Sequence, residues 1–139
     1  MTILSAIQRL QVLALASDAD MKIAPDTPIE DASALPMSIA HLAEGEGTAS
    51  NSTTLRFEPV INVDFHFNRT WLKQAYTQID NVALAYMARL AGDPTLAGAV
   101  DTIQFPVSFT VGAVEYDKVT TMMLRFSVPV KTLETPIST

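Results

Sequence analysis

The chain has no cysteine, which excludes a disulfide framework and a thiolate metal site. Charge is scarce: 17% of residues are Asp, Glu, Lys or Arg, where about a quarter is usual. The charge leans acidic, with 15 acids against 9 bases and a net of −6. No stripe of Lys and Arg occurs, which argues against attractive binding to nucleic-acid phosphates. No apolar run approaches the length needed to span a bilayer. Gln8, Arg9 and Gln11 interrupt the N-terminal apolar stretch and no basic leader precedes it, so a signal peptide is not expected there. The sequons Asn51-Ser52-Thr53 and Asn68-Arg69-Thr70 are accordingly read as chance matches.

Hydrophobic residues make up 48% of the 139, a balance that excludes disorder and suits one domain with a sizeable core. So little charge on so small a domain points toward assembly, with part of the surface covered by partners. The acids are unevenly placed. Residues 1–50 hold seven acids and two bases, and the rest hold eight acids and seven bases. An acidic surface repels DNA.

Ile3, Ile7, Leu10 and Ala14 share a helical stripe widened by Leu4 and Leu13, which predicts a helix over 3–16 with Thr2 as N-cap. Residues 18–35 carry acids, Pro25 and Pro28 and read as an extended crossing. Pro36–Ala43 reads as a short strand. Glu44, Gly45, Glu46, Gly47, Thr48, Ala49, Ser50, Asn51, Ser52 and Thr53 carry no apolar anchor and read as a mobile loop, ordered only against a neighbour. Over Thr54–Phe67 the apolar residues Leu55, Phe57, Ile61, Val63, Phe65 and Phe67 alternate with Arg56, Glu58, Asn62, Asp64 and His66, a strand with two unlike faces. Pro59 predicts a bulge or an edge position in it.

A second helix is predicted near 70–91, capped by Asn68 or Thr70. Leu72, Ala75, Ile79, Val82, Tyr86 and Leu90 form its stripe, widened by Trp71, Ala83 and Met87. Gly92 should end it in the left-handed conformation, and Asp93–Pro94 should open a tight turn closed by Thr95–Gly98. A strand over 101–111 would align Ile103, Phe105, Val107, Phe109 and Val111. One over 119–131 would align Met122, Leu124, Phe126, Val128 and Val130, with 112–117 as the hairpin link. The order is αββαββ, an α+β fold: a four-stranded antiparallel sheet with two helices packed on one face. The other face is polar and needs water or a neighbour.

No catalytic constellation emerges, and neither an enzymatic role nor a cofactor or metal is expected. Asp64 and His66 share a strand face with Glu58 further along. This pattern is ordinarily a polar strand face; its functional reading is a metal site or a base with its orienter. His41 has no visible partner. Gly45-Glu46-Gly47 lacks the Lys and the helix start of a phosphate-binding loop. Met87, Met122 and Met123 could line an adaptable surface and Trp71 could anchor an interface, but core packing accounts for them equally.

A long helix, then D-P-T-L-x-G at Asp93–Gly98, then a strand hairpin resembles the tail terminator proteins of long-tailed phages with non-contractile, siphovirus-type tails. The amphipathic N-terminal helix, the crossing to Leu35–Pro36, the strand, the Gly/Ser loop and the long strand extend this resemblance along nearly the whole chain. It implies a virion protein of the head-proximal end of the tail, assembled in the host cytoplasm as a hexameric ring. The ring would cap the tail tube protein, stop its polymerisation and present a surface to the head–tail connector. DNA would pass through its lumen without specific binding, and no membrane would be involved. Residues 44–53 are then a candidate assembly loop, and Glu58, Asp64 and His66 a candidate lumen or interface face. The alternatives are another neck protein of the virion, for head completion or joining, or a small-ligand-binding or enzymatic α+β domain built on the Asp64/His66 face.

Overall fold

A computed structural model describes residues 3–17, 37–49, 55–68, 72–116 and 119–134. They form helices α1 (Ile3–Ser17) and α2 (Leu72–Gly92) and strands β1 (Met37–Ala49), β2 (Leu55–Asn68), β3 (Thr102–Ile103), β4 (Ser108–Tyr116) and β5 (Val119–Glu134). Every strand pairing is antiparallel. β2 lies between β1 and β5, and β3 and β4 follow one another along the far edge of β5. The α+β class is as expected, with five strands in place of four. The predicted strand over 101–111 is two strands, interrupted around a cis Phe105–Pro106 peptide. Residues 112–116, predicted as link, continue β4. Thr2, the crossing over 18–35, Pro36, Ser50–Thr54, Thr70 and Trp71 lie outside the described residues.

Alternation in β2 builds the core. Ile61, Val63, Phe65 and Phe67 are fully buried, and the register sets them beside Val128, Phe126, Leu124 and Met122 of β5. Ala75, Ile79, Val82, Tyr86 and Leu90 of α2 close over this surface, as the helical stripe predicts. Tyr86 is the centre of it. Its ring meets Phe65 edge-on at 5.0 Å and Phe126 at 5.0 Å, and its hydroxyl donates to the Leu10 carbonyl of α1 at 3.1 Å. One side chain therefore ties α2 to two strands and to the other helix.

α1 buries most of its expected stripe, with Leu4 as the exception and Ala6 as an addition. Ala6, Leu10, Leu13 and Ala14 are buried and Ile7 partly so, while Leu4 is 52% exposed. Gln11 is buried too, and among the described residues neither atom of its amide has a hydrogen-bond partner. An unmade buried hydrogen bond of this kind costs about 1–3 kcal/mol.

Residues 44–49, expected in a mobile loop, are strand: Glu44 to Ala49 pair with Val60 to Leu55. The glycines permit this pairing. A Cβ on Gly45 would lie 3.1 Å from the Pro59 Cα, and one on Gly47 3.2 Å from the Phe57 ring. Pro59 sits in an interior strand, not at an edge. The β2–β5 pairing skips Glu58 and Pro59 without changing register, and the bulge falls opposite, at Ala43 of β1.

Gly92 also departs from expectation. It is the last residue of α2 and its φ is not positive; the left-handed residues are Leu96 (φ 50), Ala97 (φ 56) and Gly98 (φ 86). Asp93 holds this knuckle. Its Oδ1 accepts from the Ala97 amide at 2.9 Å, and its Oδ2 accepts from Arg9 Nε at 2.7 Å. Leu96 is fully buried.

Ile79 is 5% exposed and sits at mid-helix in this core. Ile79→Ala should cost about 2–5 kcal/mol by lost transfer energy and cavity formation, read from the urea midpoint. Gln78→Ala, on a half-exposed position, should shift it by about 0.5 kcal/mol or less. Equal effects would mean that α2 is turned about its axis from the register described.

Candidate functional site

The face of the sheet away from the helices carries the polar residues of β2. Register sets Ile39, Asp64, Arg125 and Thr110 in one row across β1, β2, β5 and β4, and His41, Asn62, Ser127 and Ser108 in the next. Arg125 grips Asp64 with two bonds, Nε to Oδ1 at 2.7 Å and Nη2 to Oδ2 at 2.9 Å. His41 Nε2 lies 3.3 Å from the same Oδ2. Ser127 donates to Asn62 Oδ1 at 3.2 Å. The planar guanidinium fork matches a carboxylate, which gives the pair its geometry. The pair in turn raises the pKa of Arg125, mainly through its hydrogen bond to Asp64.

His66 is 3% exposed and its Nδ1 lies 2.9 Å from Thr121 Oγ1. Burial lowers its pKa, Arg125 lowers it further and Asp64 opposes them. Asp64 and His66 thus share a face, but their hydrogen bonds run to Arg125 and His41 on one side and to Thr121 on the other. Among the described residues no group of three His, Asp or Glu side chains is placed to hold a metal ion. Of the candidate lumen or interface face, Asp64 and His66 are buried within the subunit. Of the three, Glu58 alone keeps appreciable exposure.

Glu58 belongs to the far end of the same face. The bulge at Ala43 inverts the alternation of β1, turning Glu44 and Glu46 toward this side, with Glu46 directly across from Glu58. Like charges directly opposed across strands are unfavourable. Arg56 reaches Glu58 only at 4.0 Å, and the Gln104 amide donates to it at 3.4 Å. Two open depressions run along this face and share Glu44, Val60 and Pro129. One, of about 500 Å³, reaches Asn62 and Ser127; the other, of about 310 Å³, reaches Glu46, Glu58 and Gln104. Their lining offers carboxylates, amides and the hydroxyls of Ser108 and Ser127.

Exposed apolar surface is the feature that sequence reading missed. Phe109 and Val111 sit beside Phe126 and Leu124 on the core side of the sheet, yet β4 lies beyond the buried core and they remain 51% and 43% exposed. Phe105 is exposed nearby. On α1, Leu4, Val12 and Leu15 form a second exposed row, and Leu84 stands out from α2. The spacing 4, 12, 15 was available in the sequence as a second apolar stripe. No helix among the described residues is long and apolar enough to cross a membrane. No protein family and no curated protein matches the chain.

His66 makes a pH prediction. Its folded pKa is below the ordinary 6.5, so the unfolded chain binds the proton more readily. The contribution of neutral His66 is complete above that value and is lost as pH falls below it toward the folded pKa. The urea midpoint should drop between about pH 7.5 and 5.5, and His66→Gln should flatten that drop. An unchanged slope in the variant would assign the drop to other groups.

Proposed function

We propose that this chain is a non-enzymatic, ring-forming protein of a long-tailed phage, a tail terminator. It closes the growing tail tube and forms the head-proximal surface to which the head–tail connector attaches. The observation that carries this reading is the order of elements around Asp93–Gly98: a long helix, D-P-T-L-x-G, then strands folding back on themselves. In this chain the motif has a physical role as well, since Asp93 holds the knuckle and Leu96 fills the core.

The physical task of a terminator is geometric. A tube ring offers an open upper surface that recruits the next ring; a terminator matches that surface below and offers a different one above, so the filament closes. Such a subunit needs apolar surface left over for its neighbours. Phe105, Phe109 and Val111 at one sheet edge, and Leu4, Val12 and Leu15 on α1, are suited to that. The strip of Glu44, Glu46 and Glu58 suits a lumen through which DNA moves, because its carboxylates outnumber Arg56, the cation beside Glu58, and phosphates would be repelled more than held. Residues 44–49 remain candidates for contact with a neighbour, now as a strand segment that is exposed over residues 44–47.

The test is tube growth. The protein, added to its phage's tube protein under polymerising conditions, should stop elongation and be found at one end of each tube. Val111→Lys, a charge on the open edge strand, should leave the subunit folded and abolish capping. Tubes that elongate unchanged with the wild-type protein present would overturn the reading.

A further inference from the structure

We propose that the knuckle Asp93–Gly98 is a strained latch that couples the seating of α1 to the pairing of the β3–β4 edge. Leu96 and Ala97 are both held at left-handed φ, 50° and 56°, which side chains with a Cβ adopt unfavourably. Such residues persist only where their surroundings over-determine them. Here the determinants come from opposite sides. From α1, Arg9 Nε binds Asp93 Oδ2 at 2.7 Å, which fixes the carboxylate so that Oδ1 accepts the Ala97 amide at 2.9 Å. From the sheet, the Ile103 amide of β3 donates to the Pro94 carbonyl at 2.6 Å.

The chain of contacts is continuous. Arg9 and Asp93 are 84 residues apart in sequence, so this ion pair forms only when α1 is seated. Without it, Asp93 loses the partner that orients it toward Ala97, and the two left-handed residues can relax. Pro94 would then shift under Ile103. β3 has only two paired residues, Thr102 with Lys131 and Ile103 with Val130, which leaves it little of its own to hold it in place. The neighbouring backbone bonds, Asp101 N to Lys131 O at 3.0 Å and Gln104 N to Pro129 O at 2.8 Å, lie on the same short edge. Phe105 follows immediately, so the latch decides whether that apolar edge is held against β5.

Native-state hydrogen exchange on the full chain tests it. Arg9→Gln keeps a helix-forming residue and removes the ion pair; it should raise exchange at the Ala97 and Ile103 amides by about tenfold. Amides of β2 and β5 over 61–65 and 124–128 should stay as in the wild type. Asp93→Asn should raise the same two amides. Exchange at Ala97 and Ile103 unchanged in Arg9→Gln would overturn the coupling, even if Asp93→Asn alone accelerates them. An equal rise throughout the central strands would also overturn it, since Arg9 would then act only on global stability.

Discussion

The buried hydroxyl of Tyr86 is the constraint on which the rest of the packing depends. A phenol that is fully buried must find a hydrogen-bond acceptor or forfeit its desolvation cost. Tyr86 finds one in the Leu10 carbonyl, on the other helix. Burial pushes its pKa well above the ordinary phenol value, so it stays a donor under any ordinary condition. Its ring is positioned by Phe65 and Phe126, one on each of the two central strands. α1 is therefore placed by α2, and α2 by the sheet. Once α1 is placed, Arg9 reaches Asp93 and the knuckle that follows α2 can close.

The sheet has a second constraint on its other face. A carboxylate as buried as Asp64 needs a close counter-charge, and Arg125 from the neighbouring strand supplies it with a bidentate fork. This leaves the acids of that face unequal. Asp64 is a structural group locked into a cross-strand row, whereas Glu44, Glu46 and Glu58 face the open depressions. The division follows from one extra residue, Ala43, which flips the alternation of β1 halfway along its length.

Those elements were legible where one physical rule acted alone. β2 and β5 alternate cleanly because both lie in the middle of a sheet with one buried face, and the stripe of α2 is broken by enough polar residues to fix its phase. α1 is apolar on nearly every side, so periodicity could not tell Ala6 from Leu4. Glycine at 45 and 47 reads as loop by composition, yet it is there to let Pro59 and Phe57 approach a paired strand. Alternation assigns Phe109 and Val111 to the core side of the pleat but says nothing of where the core ends. The pairing of Asp64 with Arg125 spans 61 residues, and no local pattern announces it.

A two-faced sheet with neutralised polar rows, one acidic strip and apolar rows at its margins is a reasonable subunit for a closed ring. The proposed ring is tested most directly by cryo-electron microscopy of tailed phage particles assembled in cells that express this chain. Density for this fold is expected as a ring at the head-proximal end of the tail tube, with Glu44, Glu46 and Glu58 toward the lumen. Finding the chain only at the tail tip, or absent from the particle, would contradict it.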